Sequence, residues 1–333
     1  MNQRPTPRCA TFFLPRLAVT LVAAWTPAAR AGEPDAGPAT RPAATTRPAP
    51  LTPGNHRREL TADGRPRSYL VHVPPNYDPA KPTPVVLAFH GAMMNGTTMV
   101  PFSGLNGKAD EAGFVAVFPN GTGMGEAALF WNASAEPRPG GPPDDVAFTA
   151  RLLDDLATLV NVDPKRVFAT GMSNGGMMCH RLAAELSDRI AAVAPVGGTL
   201  ALPEVRPNRP VPVIHFHGAA DTIVPLAGPK GRTPRTMRFL SVEATVKAWV
   251  EANGCPDKPE VTEYPDAADD GTTVTRTTYG PGKNGAEVVL VEVRGGGHTW
   301  PGRRPPARFL GRSTADVSAN DLMWEFFRKH PMK

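Results

Sequence analysis

An α/β fold, a mostly parallel central sheet flanked by helices, is what the 333-residue chain predicts. Short β-rich runs alternate with helical patterns, the arrangement that buries a parallel sheet on both faces. Composition allows it, because 41% hydrophobic and 20% charged residues suit a globular chain with a large core. The segment Gly171-Met172-Ser173-Asn174-Gly175-Gly176 adds a sharp turn between a strand-like and a helix-like run.

The elements follow in chain order. Residues 1–31 carry Arg4, Arg8, Arg16 and Arg30 without an acidic residue, then an apolar run from Leu17 to Trp25, then Ala29-Arg30-Ala31. This is the pattern of a signal peptide cleaved before Gly32, and the run is too short to cross roughly 30 Å of hydrocarbon. Residues 32–54, mostly Ala, Pro, Thr, Gly and Arg, read as a disordered linker, because they hold too little apolar surface to offset the entropy of ordering. Residues 55–333 read as one catalytic domain. Within it, strands are expected at Ser68–Val73, Val85–Phe89, Phe114–Phe118, Arg166–Thr170, Ala191–Val196, Val211–Phe216 and Glu287–Val293. Helices are expected at Asp145–Val160, Asn174–Leu186, Ser241–Ala252 and Ala315–Lys329, the first with Ala150, Leu153, Leu156, Ala157 and Val160 on its buried face.

Ser173 is the candidate nucleophile. The glycines around it remove β-carbons where a strand-to-helix turn brings backbone together, and the helix N-terminus beyond favours negative charge. A serine hydroxyl needs a base and a group that orients the base, expected later in the chain as acid and then histidine. Asp221 fits the acid, in the loop after the buried strand that ends His215-Phe216-His217-Gly218. His298 fits the base, in the loop Gly295-Gly296-Gly297-His298-Thr299-Trp300-Pro301-Gly302 after the strand Glu287–Val293. The oxyanion donors expected are the backbone N–H of Asn174 and that of Ala92, with Met93 as the alternative. Trp131 and Trp300 are candidate substrate-binding residues, with core packing an equal reading for Trp131. Asp144 and Asp145 open a helix, where capping and the helix dipole explain them.

Other classes are set aside. The formal charge of +5 falls to 32 basic against 31 acidic residues once residues 1–31 are removed, and no basic stripe with interleaved aromatics marks a nucleic-acid partner. No Cys/His cluster has metal-ligand spacing and no Gly-rich loop has a phosphate-binding lysine, so neither metal nor other cofactor is expected. Without residues 1–31 only Cys179 and Cys255 remain, and nothing in the sequence brings them together.

The segments His90-Gly91, Gly113-Phe114 to Pro119, Trp131-Asn132, Asp144-Asp145-Val146, Val162-Asp163-Pro164-Lys165-Arg166, the serine turn, Asn253-Gly254-Cys255 and Gly296 to Gly302 together resemble the polyhydroxybutyrate depolymerase, feruloyl esterase and acetyl xylan esterase family of exported α/β hydrolases. The resemblance runs from about Arg57 to Pro331. It implies the α/β-hydrolase fold, the triad Ser173, Asp221 and His298, and ester hydrolysis through an acyl-enzyme in a secreted or periplasmic setting. Feruloyl or acetyl esters of plant-wall polysaccharide are the expected substrates, with polyhydroxybutyrate or its oligomers the alternative. A non-catalytic binding protein on the same fold is the reading from another class. Many relatives have a cysteine right after the His-Gly pair, where Ala92 stands, and pair the Cys255 equivalent with a cysteine near Tyr279. Gly280-Pro281-Gly282 follows Tyr279 here, so that disulfide is expected to be absent.

Overall fold

Ten strands form one sheet in the order β1-β2-β4-β3-β7-β8-β9-β12-β11-β10 in a computed structural model that describes residues 49–134, 142–229 and 238–333. The strands are β1 (Gly54–Ala62), β2 (Arg65–Val73), β3 (Thr83–Phe89), β4 (Val115–Pro119), β7 (Val162–Met172), β8 (Ala192–Val196), β9 (Val213–Gly218), β10 (Glu260–Glu263), β11 (Thr273–Tyr279) and β12 (Val288–Arg294). A small hairpin of β5 (Thr122–Met124) and β6 (Ala128–Phe130) stands apart. The central run β4-β3-β7-β8-β9-β12 is parallel, and antiparallel pairs close both edges. The predicted parallel centre is therefore present. The signal peptide and linker residues 32–48 lie outside the described residues, and Gly54, the last linker residue, opens β1. Leu51, three residues before the end of that linker, donates its N–H to Leu159 O at 2.9 Å and packs against the core.

Buried parallel strands read as continuous apolar runs because helices cover both faces. In β3, Val85, Leu87 and Phe89 point to one core, while Val86 and Ala88 point to the other. The first core is closed by α3 (Asp145–Leu159), α4 (Asn174–Glu185) and α5 (Val242–Asn253), through Phe148, Leu182 and Trp249 among others. The second is closed by α1 (Gly96–Ser103), α2 (Leu105–Ala112) and α6 (Ala319–Lys329), where Phe327 stacks on Phe168 with centroids 4.5 Å apart.

Helix boundaries follow local chemistry. Asp144 caps α3 by accepting from Ala147 N, and Ser241 and Ser318 cap α5 and α6 in the same way. The buried face of α3 differs from the expected one. Leu153 and Leu156 are buried, but Phe148, Leu152 and Leu159 complete the face and Ala157 is exposed. The last helix begins at Ala319, four residues later than expected, because Ser318 is its cap. The sequence reading missed α1 and α2, since Pro101 and several glycines dilute their periodicity. The edge strands β1 and β10, and β11 next to the latter, were missed too, being polar and exposed or half-exposed.

Candidate active site

Ser173 is the first residue after β7 and has φ 56° and ψ −120°, a region that costs a non-glycine residue of order 1–3 kcal/mol. Two backbone bonds hold it there, Ser173 N to Val196 O at 2.8 Å and Met177 N to Ser173 O at 2.9 Å. Glycine is required around it by contact. A Cβ on Gly175 would lie 2.2 Å from Phe89 O, and one on Gly198 would lie 2.1 Å from Ser173 O. The Gly197-Gly198 pair after β8 was not singled out in the sequence. Its signal was available as two glycines at the C-terminal end of a buried strand.

Asp221 and His298, 77 residues apart, meet at the C-terminal ends of β9 and β12. His298 donates its Nδ1–H to Asp221 Oδ2 at 2.6 Å. The other carboxylate oxygen accepts from the amides of Ile223 and Val224, each at 2.8 Å, so the buried acid is fully partnered. The glycine-rich loop is not slack. Gly297 N donates to Arg312 O at 2.9 Å and His298 N to Leu310 O at 2.7 Å. The imidazole lies over Gly197, whose Cβ would come within 3.2 Å of Nδ1.

His217 sits behind the acid with Nε2 3.8 Å from Asp221 Oδ2, and it donates that N–H to Val224 O at 2.8 Å. Val224 is thus held at its carbonyl by His217 and at its amide by Asp221. With its Nε2 protonated, His217 accepts at Nδ1, and His215 Nε2–H donates to it at 3.1 Å. His180 stacks on His215 and accepts at Nδ1 from Trp249 Nε1 at 2.9 Å. Burial holds these three imidazoles neutral, lowering His180 to about 3 and moving His215 and His217 in the same direction.

The loop after β3 carries the second expected donor. Met93 N is spent on Leu129 O at 3.0 Å, which removes the alternative donor, while among the described residues Ala92 N meets no protein acceptor. His90 fixes this loop. Its Nδ1–H donates to Gly91 O at 2.8 Å, and its Nε2 accepts from Gly121 N at 3.0 Å. Burial lowers it to about 4, so the neutral tautomer persists.

Both tryptophans are buried, which selects the core-packing alternative for Trp131 and departs from the pocket-lining expectation for Trp300. Trp131 is 2% exposed, donates Nε1–H to His90 O at 2.9 Å and packs edge-on against Phe89. Asn174 clamps its backbone, accepting from Trp131 N at 2.7 Å and donating to Trp131 O at 3.2 Å. Trp300 is 1% exposed and donates to Asn320 Oδ1 at 3.0 Å. Each indole is a strut behind a loop. Asp145 is also more than a helix-opening residue. Its buried carboxylate pairs with Arg67 at 2.7 Å and accepts from Asn132 N at 2.7 Å, anchoring the segment after Trp131. Cys179 and Cys255 are free and buried, and Gly282 packs on Cys255 Sγ. Among the described residues no cluster of His, Cys, Asp or Glu could hold a metal, and no helix is long and apolar enough to cross a membrane.

The chain is similar to several known proteins. The family described as phospholipase/carboxylesterase matches residues 148–248. NocK of Nocardia uniformis subsp. tsuyamanensis, a protein designated an esterase, is 38% identical over 287 residues, 81% of each chain. Feruloyl esterase B of Piromyces equi is 29% identical over 70% of this chain and 42% of its own length. The bifunctional acetylxylan esterase/xylanase XynS20E of Neocallimastix patriciarum is 27% identical over 74% of this chain and 33% of its own. The chain therefore spans less than half of those two relatives. Among solved structures, an acetyl xylan esterase from Aspergillus awamori superposes with TM-score 0.53 at 17% identity, covering 82% of this chain and 99% of that one, a likeness of fold.

Proposed function

Because the chain belongs to the α/β-hydrolase family of carboxylic-ester hydrolases that includes the feruloyl and acetylxylan esterases, we propose that Ser173, His298 and Asp221 are its catalytic triad. The observation that carries this reading is the 2.6 Å bond from His298 Nδ1 to a fully partnered Asp221, at the same C-terminal end of the parallel strands as the strained serine turn. Ser173 Oγ attacks the ester carbonyl and passes its proton to His298 Nε2, while Asp221 keeps the ring in the tautomer that accepts there. The amides of Asn174 and Ala92 stabilise the tetrahedral oxyanion, at the N-terminus of α4 where the helix dipole adds to them. His298 then protonates the leaving alcohol, and water attacks the acyl-enzyme by the same route. The substrates are acyl esters of plant-wall polysaccharide, feruloyl or acetyl. Export through residues 1–31 to a secreted or periplasmic location suits such polymers.

Turnover of p-nitrophenyl acetate by wild type and by Ser173→Ala tests the triad. A loss on the order of 10⁶ in kcat is expected for a serine nucleophile. Equal rates in the two proteins would remove the reading. Methyl ferulate, acetylated xylan and hydroxybutyrate oligomers assayed in parallel test the substrate class, and cleavage of the hydroxybutyrate esters alone would replace the plant-wall assignment.

A further inference from the structure

Between Gly295 and Ala315 the chain carries four arginines and no acidic residue, in a protein whose charge is otherwise nearly balanced. Arg303 has a structural task, donating to Pro101 O at 3.1 Å and lying over Gly104. The other three, Arg304, Arg308 and Arg312, line an open cleft of ≈ 730 Å³ whose remaining walls include Pro305 and Pro306. The prolines fix φ, which stiffens the backbone that carries the arginines. Among the described residues these three form no ion pair. Arg312 comes 3.5 Å from Gly271 O and interacts through space with the Asp270 carboxylate, whose hydrogen bonds go to Thr272 and Ala315, which leaves Arg304 and Arg308 as the two cations without an acidic partner among the described residues.

The cleft is continuous with the loop that carries His298. Leu310 O and Arg312 O accept from His298 N and Gly297 N, and a Cβ on Gly297 would lie 2.1 Å from Leu310 O, so the two segments touch backbone to backbone. Phe309, 76% exposed, adds an apolar face on the same turn. Planar guanidinium groups match carboxylates bidentately, and like charges with no contacting acid in a concave wall attract an anion. We propose that this cleft binds the carboxylates of a uronate-bearing saccharide chain whose acyl ester is cleaved at Ser173. The proposal rests on the esterase reading above and narrows its substrate to acidic polysaccharide.

The test compares KM on acetylated xylan bearing uronate side groups with KM on the same xylan stripped of them, at about 20 mM and about 0.5 M NaCl. The charged polymer should show a KM at least roughly fivefold lower at low salt, with the gap closing at high salt. It should close equally in Arg304→Gln/Arg308→Gln, and Arg308→Glu should raise KM on the charged polymer alone. Equal KM values at low salt in a wild type that still cleaves p-nitrophenyl acetate would overturn the cleft's role and leave the esterase reading intact. If wild type does not cleave p-nitrophenyl acetate, the esterase reading falls. Salt-sensitive retention on an immobilised uronate polymer, lost in the double variant, then upholds the binding site, and absence of retention overturns it.

Discussion

Replacing Gly175 by alanine isolates the geometry on which the proposed chemistry depends. The added Cβ would stand 2.2 Å from Phe89 O and 2.6 Å from His90 O. Both contacts are backbone, so neither can rotate away, and the first must open by about 0.8 Å before it reaches the 3.0 Å below which real Cβ contacts do not occur. That movement drives the start of α4 away from the end of β3, and so separates Ser173 and the Asn174 amide from the Ala92 loop. Overpacking of this kind costs about 1–3 kcal/mol, a modest loss for a unit of this size. A shift near 1 Å costs about 10²-fold in rate. Steady-state hydrolysis of p-nitrophenyl acetate well below the melting temperature should therefore show kcat falling roughly a hundredfold while the protein stays folded by circular dichroism. A kcat within twofold of wild type would refute the idea that this close approach sets the oxyanion site.

Two further outcomes follow from the buried histidines. His217→Leu removes the donor to Val224 O and should lower kcat about tenfold with KM little changed, and His217→Gln, which can still donate, should recover part of it; lowered Tm with unaltered kcat would show that His217 only packs. Acid should destabilise the fold, because His90 and His180 titrate at about 4 and about 3 when folded against about 6.5 when unfolded. The unfolded chain then binds protons that the folded one refuses, so stability is whole above about pH 7 and falls as the pH drops below about 6.5, by about 2 kcal/mol per histidine from pH 7 to 5. His215, His217 and His330 are shifted in the same direction, while Asp145, raised by burial, has the opposite sign. Urea midpoints at pH 7 and pH 5 check this, and equal midpoints would contradict it.

The sequence by itself determined the parallel centre of the sheet, the position of the serine turn and the two loops in which Asp221 and His298 lie. Those features are local. Apolar runs, helix periodicity and glycines at strand ends state what the nearest few residues must do, whichever partners they meet. It determined much less where polar or glycine-broken segments fold, which is why α1, α2 and the edge strands escaped notice. Tertiary structure decided everything that needs a partner distant in the chain. Arg67 neutralising Asp145 across 78 residues turns an apparent helix-opening acid into a buried anchor. The Leu129 carbonyl consumes the Met93 amide and leaves Ala92 as the candidate donor. From its neighbours in sequence Trp131 reads equally well as pocket wall or core and Trp300 reads as pocket wall, and only the bonds to His90 and Asn320 place them inside. Hydrogen-bond partners and burial are set by where strands stack. A residue's own sequence neighbourhood does not carry that information.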